Sequence, residues 1–378
     1  MTNRCLQILM VSWKDDRHPR HGGAEVYTRI VLEGLISLGM QATWLTPSAL
    51  GLPDEERSPG GIRIIRRGTR LSQVMHVWRF LMRHQHQYDL VIDQINTMPM
   101  MTRLALRGRP GMVLIHQLAA DVWPYELPYP LAWIGARLEP WLLRLYRTWP
   151  AVAVSDSTAQ DLRSLGFRDV SVVKNALTFA LPPQIVRHQP PAPHFVAIGR
   201  LVRMKRFEHL LAAFEVVRRQ HPEARLTIIG RAGGPYAQRL ARQISRTGGA
   251  HLLQNAPEAL KQAHLSEATA IVATSVREGW GLMVTEAHAY GTPSVAYRVP
   301  GLVDSTRHEV TGLLCDPAPP ALAEAMLAIH TDCERWARLS RRAAEEASLL
   351  TPEATTAAFA AAIERLCCLN RNASKLRR

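Results

Sequence analysis

Between two short apolar runs, Ala270 to Ser275 and Pro293 to Tyr297, the chain reads Arg277-Glu278-Gly279-Trp280-Gly281-Leu282-Met283-Val284-Thr285-Glu286-Ala287-His288-Ala289-Tyr290-Gly291-Thr292-Pro293. Strand, glycine loop, helix and strand in that order make a βαβ unit, which implies a parallel sheet covered by helices. The same alternation extends outward. His194 to Gly199 and Ala224 to Gly230 precede it as strands, and before them stand Leu6 to Trp13, Leu90 to Asp93, Gly111 to His116, Ala151 to Ser155 and Val170 to Lys174. The stretch from Pro182-Pro183 to Pro190-Pro191-Ala192-Pro193 fits neither helix nor central strand and separates the two sets. The expected architecture is α/β with two Rossmann-like parallel-sheet domains: 1–182, a Pro-rich linker over 183–193, and 194–350. An Ala-rich helix in 351–378 is expected to pack back on the first domain and to end in a loose basic tail. Two such domains imply a cleft, with ligands outside the carboxyl ends of strands.

A length of 378 residues suits two domains of ordinary size. With 47% apolar and 21% charged residues the chain is neither disordered nor a multi-span membrane protein. Five cysteines in 378 residues are too few for a disulfide scaffold, no pair has the Cys-x2-Cys spacing of a zinc or thioredoxin-like site, and they read as scattered thiols of a reducing compartment. The apolar run at Leu6 to Trp13 continues into Lys14-Asp15-Asp16, not into the small residues of a signal peptide, and no run approaches the roughly 20 apolar residues of a spanning helix. A cytoplasmic location is expected, with peripheral contact at the inner membrane leaflet as a further possibility. The formal charge of +14 is almost wholly arginine: the lysines are Lys14, Lys174, Lys205, Lys261 and Lys375. That excess invites polyanion, phosphate or anionic-membrane partners.

Two segments carry the chemistry. Gly199-Arg200-Leu201-Val202-Arg203-Met204-Lys205-Arg206 follows a strand and opens a helix, so a glycine permits close backbone approach while two cations stand near a helix start, an arrangement suited to a pyrophosphate. In the opening stretch, Glu278 lies in the glycine loop and Glu286 eight residues on, among apolar neighbours where an unpaired carboxylate is costly. The loop can offer amides to an anion while Glu286 meets a diol. A solvated basic turn and an ordinary helix carboxylate are the plainer readings of the two segments.

Gly199-Arg200 with Lys205, the pair Glu278 and Glu286, and Ala289-Tyr290-Gly291-Thr292-Pro293 together resemble the family-4 retaining glycosyltransferases of GT-B architecture. His21-Gly22-Gly23-Ala24-Glu25 resembles that family's early glycine loop and Val154-Ser155-Asp156-Ser157-Thr158 its serine segment. The resemblance runs from about residue 6 to about residue 350, and several motifs in order are more specific than one. It implies that Arg200 and Lys205, with Gly199, bind a donor diphosphate, that Glu286 holds ribose hydroxyls, and that Glu278 contacts the donor sugar. Gly279, Trp280, Gly281 and Leu282 would supply the loop against sugar or phosphate, Gly22 and Gly23 would allow the first domain's loop to approach, and His116 would sit near the sugar. Gly230 would line the nucleotide pocket or serve only as a turn. His116, Arg200, Lys205 and Glu278 are thus the candidate catalytic residues. The resemblance further implies a UDP- or GDP-sugar as donor and, as acceptor, a glycan or lipid-linked hydroxyl of envelope or polysaccharide synthesis. No Asp-x-Asp and no ligand-spaced His/Cys cluster occurs, so neither metal nor cofactor is expected.

Two departures stand out: Asn175-Ala176 replaces Asn-Gly, and Leu253-Gln254-Asn255-Ala256-Pro257 lacks the usual glycine, leaving uracil and guanine undistinguished. From Arg57 to Tyr88 there are seven arginines and no acid, with Leu71, Val74, Met75, Trp78, Leu81 and Met82 at helical spacing. Such a helix suits either an anionic membrane surface or packing on the first domain's sheet. A GT-B phosphorylase or sugar-nucleotide epimerase is the alternative enzyme. A nucleic-acid-binding protein is the alternative from another class, but no recognised module is present, so no nucleic acid partner is expected.

Overall fold

The computed structural model describes residues 5–181, 187–231 and 233–375, and they fall into two α/β units. The first comprises 1–120, 134–178 and 351–378; the second comprises 121–133 and 179–350. Two expected boundaries are thereby corrected. Residues 121–133, placed by sequence in the first domain, group with the second, where Val122 packs with Met204 and Val276. The described part of the supposed linker is likewise tied down: Arg187 donates to Thr292 Oγ1 at 2.5 Å and the Ala268 carbonyl at 3.0 Å, and Gln189 donates to the His330 carbonyl at 2.6 Å. Residues 183–186 of that linker lie outside the described residues.

The first unit holds an eight-stranded sheet in the order β3-β4-β2-β1-β5-β6-β7-β8. Its strands are β1 (Gln7–Val11), β2 (Gln41–Thr46), β3 (Glu55–Arg57), β4 (Arg63–Arg66), β5 (Leu90–Ile95), β6 (Gly111–Ile115), β7 (Ala151–Ala153) and β8 (Val170–Val172). All pair in parallel except β3 with β4. β5 and β6 are buried at every position, as strands covered on both faces must be; β6 reads as a continuous apolar run, while β5 opens on Leu90-Val91-Ile92 and then buries Asp93 and Gln94, each held by side-chain hydrogen bonds. Sequence reading passed over β2 to β4. β4 reads Arg63-Ile64-Ile65-Arg66, and its Arg66 is fully buried between Asp15 (2.6 Å) and Glu56 (2.6 Å). The acid-free stretch thus finds its counter-ions outside itself.

Helices of this unit are α1 (Gly23–Ser37), α2 (Gln73–His84) and α3 (Thr102–Ala105). After α4 (Trp123–Glu126) of the second unit come α5 (Leu131–Arg144), which begins there and continues into the first, and α6 (Asp156–Ser164). α2 divides its apolar stripe: Val74, Val77, Trp78 and Leu81 pack on the sheet, while Leu71, Met75 and Met82 are exposed.

The second unit has six parallel strands ordered β11-β10-β9-β12-β13-β14. They are β9 (His194–Ile198), β10 (Arg225–Gly230), β11 (Ala250–Gln254), β12 (Ala270–Ala273), β13 (Ser294–Tyr297) and β14 (Gly312–Cys315). Between them run α7 (Phe207–Gln220), α8 (Gly234–Arg246), α9 (Glu258–Glu267), α10 (Leu282–Ala289) and α11 (Leu302–Ser305), with α12 (Pro319–Thr331) and α13 (Cys333–Ala347) after β14. The core centres on Phe195, Phe214, Tyr297 and Trp336. Finally α14 (Pro352–Lys375) lies on α1 of the first unit, with Thr355 donating to the Lys174 carbonyl at 2.9 Å. The tail expected to be loose from Asn370 is helical through Lys375. Among the described residues no helix is long and apolar enough to cross a membrane.

Candidate active site

In the second sheet β9 and β12 are neighbours, yet the chain leaves β9 toward β10 on one side and β12 toward β13 on the other. This reversal of strand order is where an open α/β sheet forms a ligand crevice at its carboxyl edge. The two sequence segments singled out above are the loops leaving these two strands.

Gly199 follows β9 and Gly230 ends β10. A Cβ on Gly230 would lie 2.1 Å from the Gly199 carbonyl oxygen, so the close approach of the two strand ends requires glycine, which gives Gly230 a packing role. Past Gly199 the chain makes a tight turn at Arg203–Lys205 and enters α7. Thr274 Oγ1 donates to the Lys205 carbonyl at 2.7 Å and Val276 N to the Met204 carbonyl at 2.8 Å, stitching the two loops together. Lys205 Nζ then pairs with Glu278 Oε1, each side chain being mostly buried, and Ser275 Oγ donates to the same oxygen at 2.5 Å. Among the described residues Glu278 Oε2 has no protein partner. Arg200 is exposed and its guanidinium makes no hydrogen bond or ion pair with the described residues.

The Glu278 backbone is set by a turn that sequence reading missed. Its amide donates to the Pro300 carbonyl at 3.0 Å, and Gly301, at φ 82°, would place a Cβ 2.1 Å from the Glu278 carbonyl oxygen. Gly281, at φ 97°, caps α10, and the Gly281, Leu282 and Met283 amides bond to no described residue. Gly279 shares this loop and is half-buried, whereas Trp280 is buried as a whole residue. Further along α10, Glu286 Oε2 accepts from Lys261 Nζ at 3.0 Å, and Lys261 also holds Glu258 at 2.8 Å. Burial pushes the Glu286 carboxyl above its ordinary range and Lys261 pulls it back. In the 253–257 loop, which lacks the usual glycine, Asn255 takes the left-handed conformation at φ 52°; Ala176 has no such φ.

In the first unit Gly22 caps α1, its amide donating to Glu25 Oε2 at 2.6 Å, with Gly23 opening the helix. Lys14 Nζ stands 3.4 Å from Glu25 Oε1. His116 follows β6 and is buried, edge-on to Tyr27 at 5.3 Å. Gln94 Nε2 donates to His116 Nε2 at 3.0 Å while Gln94 Oε1 accepts from Thr28 Oγ1 at 2.9 Å. That chain leaves Nδ1 as the ring nitrogen carrying hydrogen, and burial pushes the imidazole down to about 3, so it is neutral at ordinary pH. His116 is therefore a hydrogen-bond donor and a poor base.

Lys261, Ser275, Gly301 and Gln94 were not foreseen. One signal was present: in a chain whose cations are nearly all arginine, three of the five lysines, Lys14, Lys205 and Lys261, pair with Glu25, Glu278 and Glu286. Among the described residues no three His, Cys, Asp or Glu side chains cluster as metal ligands.

Residues 183–346 match the family described as Glycosyl transferases group 1, and residues 21–179 match Glycosyltransferase Family 4. Glycogen synthase of Mycobacterium tuberculosis is 29% identical over 223 residues, 54% of this chain and 51% of that protein. D-inositol 3-phosphate glycosyltransferase of Pseudarthrobacter chlorophenolicus is 31% identical over 186 residues, 47% and 44% respectively. The chain thus spans about half the length of the curated relatives it matches. Among solved structures, sucrose-phosphate synthase from Thermosynechococcus elongatus superposes with a TM-score of 0.75 at 20% identity, covering 96% of this chain and all of that one. Anabaena HepE in complex with UDP and glucose gives 0.70 at 16%, covering 95% and 100%.

Proposed function

The chain belongs to the glycosyl transferases group 1, with the GT-B fold, and from that premise we propose that it moves a sugar from a nucleoside diphosphate to a hydroxyl of a glycan or lipid-linked acceptor, with retention at the anomeric carbon. One observation carries this reading: at the strand-order reversal of the second sheet, the β9 loop carries Lys205 and the exposed, unpaired Arg200, and the β12 loop with the α10 it enters carries the open amides at the helix start and the mostly buried carboxylates Glu278 and Glu286, with Lys205 paired to Glu278 across the two.

Charge develops on the leaving phosphate as the sugar C–O bond breaks. Fixed cations and amides aimed at that phosphate lower the barrier by a few kcal/mol per group. A diphosphate competes with Glu278 for Lys205, and the carboxylate so released is free to accept a sugar hydroxyl. Glu286 accepts from the ribose diol. His116, held neutral at about 3, has an N–H to donate and takes no proton. The acceptor hydroxyl instead passes its proton to the departing phosphate oxygen while its own oxygen bonds the anomeric carbon from the same face. No metal or further cofactor has a part in this scheme.

A thermal-shift panel of UDP, GDP and ADP tests it. At a hundred times the dissociation constant the matching nucleotide adds about 2.7 kcal/mol of stability. Arg200→Ala, an exposed replacement that leaves the fold alone, and Lys205→Ala should each lower turnover by about a hundredfold. A protein that answers to no nucleotide, or one that turns over normally in both variants, refutes the assignment.

A further inference from the structure

One face of the first unit's sheet is covered by helices of unusual outward composition. Val91, Asp93 and Ile95 alternate onto the same face of β5. Val91 packs with α2, Ile95 packs with Leu143 of α5, and Asp93 between them accepts from Thr102 of α3 and from Tyr146 just after α5. α2, α3 and the part of α5 in this unit therefore form one layer with one outer surface. A surface helix normally turns its polar side to water. Here Met75, Met82, Leu104, Ile134, Leu138 and Trp141 are between 39% and 59% exposed. On α5 the exposed positions 134, 138 and 141 fall one helical turn apart, so the apolar stripe faces away from the core.

The charges on this layer have one sign. Arg79, Arg83 and Arg144 are exposed, α2 and α3 contain no acid, and the single acid of α5, Glu139, is buried and bound to the Ala119 and Ala120 amides. We infer that this surface docks the protein on an anionic lipid bilayer. The arginines meet lipid phosphates, and the apolar side chains enter the boundary between headgroups and chains, where tryptophan is favoured. A soluble polyanion would satisfy the arginines but leave six large apolar side chains in water.

Flotation of the full chain with vesicles decides it. The protein should rise with vesicles of equal parts phosphatidylcholine and phosphatidylglycerol at low salt, stay down with phosphatidylcholine alone, and detach near 1 M salt, where screening acts within about 3 Å. Leu138→Gln with Trp141→Gln, and separately Arg79→Glu with Arg83→Glu, should each cut vesicle binding at least tenfold without moving the melting temperature, because these side chains are exposed. The inference is overturned by absence of flotation on the anionic vesicles, by equal binding to neutral ones, or by variants that bind as the parent does. Binding to heparin without flotation, or self-association abolished by Trp141→Gln without flotation, overturns it as well. Nucleotide-induced thermal shifts are read separately, so failure here leaves the donor assignment standing.

Discussion

Glu286 owes its candidate role and its energetic cost to the same surroundings. Packed in α10 between Thr285 and Ala287, it holds its proton more tightly than it would in the unfolded chain, since burial raises its carboxyl above the ordinary 4.5 and Lys261 only partly restores it. A raised acid stabilises the fold below the unfolded value and loses that contribution as pH rises through the folded one. At neutral pH the ionised carboxylate is thus a net cost. Glu286→Gln should melt no lower than the parent at pH 8, and the gap between them should close toward pH 4.5, while nucleotide affinity falls at least tenfold. Calorimetry across that range checks the prediction, and a variant markedly less stable at neutral pH contradicts it. The sequence marked Glu286 because an unpaired carboxylate among apolar neighbours is expensive. It could not reveal that Lys261, twenty-five residues earlier, supplies the partner, because α9 and α10 come together only when both pack on the same face of the sheet.

At the scale of elements, legibility followed burial. Strands such as β6 and β12 are buried throughout and read as apolar runs, and the two loops of the site were readable because each follows a strand of that kind. β4 was not, because its core arginine is neutralised by Asp15 and Glu56 from outside the segment. The docking of α14 on α1 shows another contact hidden from sequence. A Cβ at Gly34 would lie 2.0 Å from Thr356 Oγ1, so α1 accepts α14 only where a glycine leaves room. Gly34→Ala should destabilise the protein by about 1–3 kcal/mol through overpacking, despite alanine's better helix propensity. Thr356→Gly in the same chain should recover part of the loss, since it removes the opposing atoms. Denaturant titration of the single and double variants tests both statements, and additive destabilisation would mean that the two residues do not meet.

Across the whole molecule, both units carry buried neutral histidines. Burial pushes His116 and His288 down to about 3 and His194 to about 4, from 6.5 in the unfolded chain. Each lowered group gives stability above pH 6.5 that drains away as pH falls toward its folded value, by about 1.4 kcal/mol for every pH unit once the unfolded form is protonated. The melting temperature should therefore decline steeply between pH 6.5 and 4. His288→Gln should flatten part of that decline, as measured by calorimetry against pH; a level profile for the parent protein argues against it.

The placement of α14 has one more effect, on the ribosome. Residues 179–350 supply nearly all of the second unit and are complete before α14 is made, whereas the first unit, begun at β1, lacks a helix until Pro352–Lys375 emerges. The unit that enters synthesis before the other is thus finished after it, and during translation α1 waits with an uncovered groove at Gly34 until α14 is made.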